Sequence, residues 1–194
     1  IEHAGIPTLA ALRLAVEALE EMDVIGEVQL IVSGGIRTGA DVAKALAMGA
    51  DAVAVGQGVL MALGCNRPYY QLGKPSEEAS VKRVDVTDDY RAIGTAPGYC
   101  HHCHTGKCPV GITTQDSILE QRLDPTVGAH WLENYLRVLT LELATLARAC
   151  GQSNVHHLER EDLVALTIEA AAMAKLPLAG TDWIPGVSPS DNGL

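Results

Sequence analysis

Four cysteines stand where thiolates could share one inorganic group. Cys100, Cys103 and Cys108 follow one another as C-x2-C-x4-C, with Pro109 directly after the last, and Cys65 closes the segment MALGC upstream. Iron–sulfur clusters are held by cysteine thiolates gathered on a loop, often with a Cys-Pro at the end of the array. Zinc is the chief rival: Cys and His at short spacing also build a tetrahedral site, and His101, His102 and His104 lie among the cysteines. Chance clustering of reduced surface thiols is the bland alternative, and the density of the array argues against it. Cys150 reads differently, as a small buried hydrophobe on the apolar side of a helix.

A second constellation is made of glycines. The stretch SGGIRTGADVAKALAMGADAVAVGQG (33–58) holds two strand ends, each followed by glycines and then by a helix. Glycine lets backbone N–H groups approach an anion closely, and a helix N-terminus favours negative charge. Two such loops after neighbouring parallel strands form the phosphate grip of many barrels. Gly34, Gly35, Gly56 and Gly58 are the residues expected on a phosphate, with Ser33 and Gln57 in the same loops. Arg37 is either added charge or a surface residue. The plain alternative is that the glycines only make tight turns, and the pairing of two loops around one βα unit favours the anion site.

The elements that must carry these loops follow from the apolar pattern. Residues 8–22 repeat at helical spacing behind Thr8, a candidate cap. Residues 28–32 and 51–55 are short, β-branched runs expected as buried parallel strands, with a helix over 39–48 between them that Gly49 ends. The helical VLMAL follows. Alternation of strand and helix predicts a parallel sheet with covering helices. Residues 66–99 carry Pro68, Pro75 and Pro97 and little periodicity, which predicts a long surface excursion contributing little to a core. Residues 128–149 and 159–174 read as helices, and 176–194 as an extended tail.

Composition bounds the rest. The chain has 194 residues, 47% hydrophobic and 20% charged, with a formal net charge of −10 and no Phe. Its core must therefore be built from Ala, Leu, Val and Ile. A phosphate backbone would be repelled, which speaks against nucleic acid as a partner. No apolar run approaches the roughly 20 residues of a membrane helix, so no membrane partner is expected. Ile1-Glu2-His3 shows no signal-peptide pattern. A start without Met, falling mid-pattern, suggests a fragment or a processed chain. Thiols at metal-ligand spacing predict a reducing cytoplasm rather than a secreted disulfide framework.

The two βα units resemble the last two of FMN-binding barrels such as glycolate oxidase and dihydroorotate dehydrogenase, and those of inosine-monophosphate dehydrogenase, which holds a nucleotide phosphate there. Together the segments HAGIPT (3–8), SGGIRTGADVAKALAMGADAVAVGQG, MALGC (61–65) and CHTGKCPVGITTQ (103–115) resemble the FMN-binding domain of the glutamate synthase family. The resemblance implies the C-terminal part of a (β/α)8 barrel, an α/β fold, with an iron–sulfur loop and a helical C-terminal extension. It implies FMN on Ser33, Gly34, Gly35, Gly56, Gln57 and Gly58. It also implies a cluster beside the flavin on Cys65, Cys103 and Cys108, with Cys100 an added thiol that would turn a 3Fe–4S site into a 4Fe–4S one. In that family 2-oxoglutarate condenses with glutamine-derived ammonia, reduced FMN delivers hydride to the imine, and the cluster relays electrons to the flavin.

Three departures resemble the archaeal-type and N-methylglutamate synthase-like branches, whose amidotransferase is a separate subunit: the insertion 66–99, the extra Cys100, and Ser33 where an Asp is common. The implied division is 1–64 as the last barrel units, 65–115 as insertion and cysteine loop, and 116–194 as helical extension. The implied partners are the remainder of the barrel (same polypeptide or another chain), a glutaminase or amidotransferase subunit and an electron-donor subunit, within an oligomer. No side chain stands out as a general acid or base. An N-methylglutamate synthase on the same scaffold, or a zinc-bearing structural or assembly subunit, are the alternative functions.

Overall fold

A computed structural model of the chain describes residues 5–72 and 81–188. They divide into two compact units. One holds the described residues up to Gly56 and from Leu139 onward, the other Gln57–Val138.

In the first unit, helix α1 (Thr8–Glu21) turns Ala10, Leu12 and Val16 inward. Thr8, expected to cap it, is instead its first residue. Pro7 holds the cap position, with no side-chain cap bond. Strand β1 (Ile31–Ser33) leads into helix α2 (Gly39–Ala47) and back to strand β2 (Ala52–Ala54). The strands pair in parallel, with Ile31, Val32 and Ser33 opposite Ala52, Val53 and Ala54. A reciprocal cap starts α2: the Thr38 hydroxyl accepts from the Asp41 N–H, and the Asp41 carboxylate accepts from the Thr38 N–H. This satisfies backbone donors that a helix start leaves unpaired. The α2 face, including Val42, Leu46 and Met48, packs with Leu12, Val16 and Val32 into one aliphatic core.

The two strands are less buried than their apolar runs led one to expect. Only Val32 is buried, and Ile31 is 65% exposed. Among the described residues each strand of this sheet has only the other as neighbour, and one covered face buries one side chain in two.

Helix α5 (Pro125–Ala149) sends Leu143 and Ala147 of its second half into this core. The helix expected over 159–174 is interrupted. Leu163 is extended (φ −114°, ψ 141°), and Ala165 donates to the Pro177 carbonyl and accepts from the Ala179 N–H. A new cap at Thr167, accepting from the Ala170 N–H, then starts the shorter helix α6 (Ile168–Ala174). Tertiary pairing of 165 with 177–179 outweighs a helical pattern that has only local support. Cys150, expected inside, is exposed after the end of α5.

The second unit opens with α3 (Gln57–Ala62). Residues 66–99 hold more order than expected. Strands β3 (Tyr69–Leu72) and β4 (Lys82–Asp85) form an antiparallel pair, followed by α4 (Thr87–Ala92). Val86 and Tyr90 are buried and join Val110 in a second, small core. Pro75, within 73–80, lies outside the described residues. The cysteine loop has one 3-10 turn, Cys103–Thr105, closed by Gly106 at φ 70°. Arg122 holds that loop down: one guanidinium nitrogen donates to Asp89 at 2.6 Å and to the Pro109 carbonyl at 2.7 Å, and the group lies 5.3 Å over the Tyr70 ring. The fold is thus mixed helix and strand, of the α/β kind. Among the described residues no helix is long and apolar enough to cross a membrane.

Candidate metal centre and phosphate loops

Cys65, Cys100, Cys103 and Cys108 line one recess of the second unit, walled by apolar side chains that include Leu60, Tyr90 and Val110. Each arrives on a different device. Cys65 lies in the turn that follows α3, its N–H donating to the Leu60 carbonyl. Cys100 is tied by its own N–H to the Asn66 side-chain oxygen at 2.8 Å. Cys103 opens the 3-10 turn, and Cys108 precedes the buried Pro109. Three of the sulfur-bearing residues are half-buried and Cys103 is exposed.

The environment treats the thiols unequally. Burial pushes Cys65 up to about 11, and the sulfurs of Cys103, Cys108 and Cys100 push the same way. Burial also opposes ionisation of Cys108, but N–H groups of Thr113, Ile112 and Val110 point at its sulfur and bring its pKa below the usual thiol value. The Thr113 hydroxyl, without an oxygen or nitrogen partner among the described residues, acts in the same direction. Such N–H···S bonds stabilise a thiolate. The Tyr90 hydroxyl is held protonated by burial and by the neighbouring Cys100, Cys108 and Cys65.

Among the described residues no three His, Cys, Asp or Glu side chains converge tightly enough for a single metal ion. The thiols share a wall without forming a closed ligand set among the described residues. The donor set suits an iron–sulfur cluster: four soft sulfurs, an apolar wall and N–H groups aimed at a ligand sulfur. The Nδ1 atom of His102, buried without a partner, belongs to a residue lining the same recess. His104 stacks on it, with ring centroids 6.1 Å apart.

The glycine loops lie in the other constellation. Ser33 and Ala54 are register partners at the ends of β1 and β2, so Gly34-Gly35 and Gly56 leave the sheet at the same edge. Ser33, Gly34, Gly35, Gly56 and Gln57 are exposed, and Gly58 is buried in α3. Gly34 and Gly35 need left-handed backbone, with φ of 121° and 75°. Gly56 does not, and a Cβ built there would meet nothing within 4 Å. Its own fold gives no reason for glycine at 56. Open backbone at the end of a strand is what a closely approaching anion requires, so the loops fit a flavin phosphate. The Arg37 backbone N–H donates to Asp41 at 3.0 Å.

Asn66, Tyr90, Thr113 and Arg122 are absent from the sequence-derived site. Only Asn66 left a signal, as an Asn directly after a helix end, where left-handed backbone is common for that residue.

A family model described as a conserved region in glutamate synthase matches residues 1–70 and 92–153, leaving out 71–91. A glutamate synthase large subunit-like protein of Rhizobium meliloti is 53% identical over 96% of the chain, which covers 38% of that relative. The archaeal glutamate synthase (NADPH) of Methanocaldococcus jannaschii is 36% identical over 81% of the chain and 24% of the relative. The archaeal-type enzyme of Dehalococcoides mccartyi is 32% identical over 92% of the chain and 30% of the relative. No solved structure matches. The chain thus spans about a quarter to two-fifths of the relatives' length, and it belongs to the glutamate synthase family.

Proposed function

We infer that this chain is the flavin-phosphate and iron–sulfur portion of a glutamate synthase-type oxidoreductase that forms L-glutamate from 2-oxoglutarate and glutamine-derived ammonia. The observation that carries the reading is the meeting of Cys65 with Cys100, Cys103 and Cys108 in one recess, together with family membership. In this reading residues 1–64 are the last units of a (β/α)8 barrel, 65–115 the insertion and cysteine loop, and 116–194 a helical extension. The other barrel strands, an amidotransferase subunit and an electron-donor subunit complete the enzyme, as an oligomer in the cytoplasm.

FMN and the cluster, when bound, supply the hydride and electron chemistry. This chain's residues do the holding. Gly34, Gly35 and Gly56, with Ser33, Gln57 and Gly58 beside them, offer main-chain N–H groups to the phosphate. Cys65, Cys103 and Cys108 ligate the cluster, with Cys100 as the fourth thiolate. The N–H groups around Cys108 favour its thiolate form, and Leu60, Tyr90 and Val110 exclude water. Cys65, whose burial disfavours the thiolate, would give up its proton on coordinating the cluster's iron.

The reading is tested by assaying the complete enzyme with 2-oxoglutarate and, in turn, glutamine, ammonia and methylamine. Glutamine- or ammonia-dependent glutamate formation is expected. Turnover with methylamine and glutamate alone would replace it by N-methylglutamate synthesis.

A further inference from the structure

Asn66 sits between the first cysteine and the other three, and its groups face both ways. Its backbone is left-handed, at φ 64°. Its carbonyl accepts the Gly98 N–H at 3.1 Å. Its side-chain oxygen accepts the Cys100 N–H at 2.8 Å, across 34 residues of chain. Its side-chain nitrogen stands 3.8 Å from the Cys65 sulfur. One amide thus grips the approach to Cys100 with its acceptor and points its donor at Cys65.

We propose that Asn66 is a positioning residue that holds Cys100 beside Cys65 as the fourth cluster ligand and donates an N–H···S hydrogen bond to Cys65. The inference rests on the iron–sulfur reading of the four cysteines. No other side chain supplies this set at that position. Asp keeps the acceptor but loses the donor and adds negative charge beside thiolates. Gly accepts the left-handed backbone freely but keeps neither hydrogen bond. Ala loses both hydrogen bonds and strains the backbone. The 3-10 turn that carries Cys103 begins after Cys100 and does not hold it. Without Asn66 its main chain has an unpaired N–H and its sulfur is free to swing from the recess.

The substitutions therefore separate conformation from hydrogen bonding. In the full polypeptide, reconstituted anaerobically with iron and sulfide, the native protein is expected to hold a 4Fe–4S cluster. Asn66→Gly should still fold cooperatively, lose the fourth iron and show the EPR signal of an oxidised 3Fe–4S cluster. Cys100→Ala should do the same, and the double variant should add nothing to either single one, since both act through one ligand. Asn66→Asp should retain four irons with a more negative reduction potential, because N–H···S bonds to the cluster's sulfurs raise that potential. A native protein without iron would overturn the iron–sulfur reading itself. A native 3Fe–4S protein would remove Cys100 as ligand and this proposal with it. A native 4Fe–4S cluster unchanged in Asn66→Gly, or wholly lost there while surviving in Cys100→Ala, would overturn the role of Asn66 alone.

Discussion

Glycine serves two separate purposes at Gly39 and Gly56. A Cβ at Gly39 would run into the Leu139 carbonyl oxygen and lie 2.6 Å from the Leu143 nitrogen, both backbone atoms that cannot step aside. At Gly56 a Cβ meets nothing. Gly56→Leu in the full polypeptide should therefore melt like the native protein yet lose its flavin. Retention of flavin at the native level would remove the loop from the phosphate site. The cysteines give a second contrast. Cys108→Ala should lose the cluster, whereas Cys150→Ala, at an exposed site, should leave iron content and EPR spectrum unchanged. A Cys108→Ala protein with native iron content would contradict the assignment. The gathering of four cysteines and the pair of glycine loops after parallel strands were legible because both follow from residue type and local spacing. Asn66 and Arg122 were not, because what they do is make contacts across 34 and 33 residues, respectively. Cys150 was misread because an apolar neighbourhood in sequence does not say which turn of a helix reaches solvent.

Between elements, close approach and ion pairing join what the core joins less specifically. The α2 start lies against α5 so closely that the Gly39 N–H donates to the Glu142 carboxylate at 2.8 Å, where negative charge also suits a helix N-terminus. Gly39→Ala should destabilise the protein by about 1–3 kcal/mol in chemical denaturation, as overpacking does. No measurable change would mean that the two helices are free to part. Glu17 of α1 accepts from the Lys175 ammonium just after α6 at 2.6 Å and from Arg13 at 3.1 Å. The Lys175 hydrogen bond, with Arg13 beside it, outweighs burial and holds Glu17 below its ordinary value of 4.5. A carboxylate depressed in the folded state stabilises above its unfolded pKa, and that contribution is lost as pH falls through the folded value. Denaturation midpoints should thus drop below about pH 4.5, and less steeply in Glu17→Gln. Equal slopes would show that the pair contributes nothing. At this scale α1, α2 and α5 were readable from their apolar period. The β3–β4 pair was not, since its strands are short and alternate weakly, and the interruption at 163–167 comes from pairing with 177–179.

The molecule as a whole offers a parallel pair of strands whose outward side chains, Ile31 foremost, remain exposed. Such a pair is marginal unless further strands and helices cover it, and the chain spans only 38% of its Rhizobium meliloti relative. In the proposed enzyme, the rest of a barrel supplies that cover. With the first six strands restored, thermal stability should rise and Ile31 should become protected from solvent, which hydrogen exchange of the Ile31–Ser33 amides in the full polypeptide would register. Unprotected amides there would contradict the barrel. In the proposed function the recess of Cys65, Cys100, Cys103 and Cys108 holds an iron–sulfur cluster. Iron and acid-labile sulfide analysis with EPR, on full polypeptide purified without oxygen and on its Cys65→Ser variant, tests it most directly. Iron and sulfide are expected in the native protein and should be lost in the variant. A colourless native protein carrying zinc and no sulfide would contradict it.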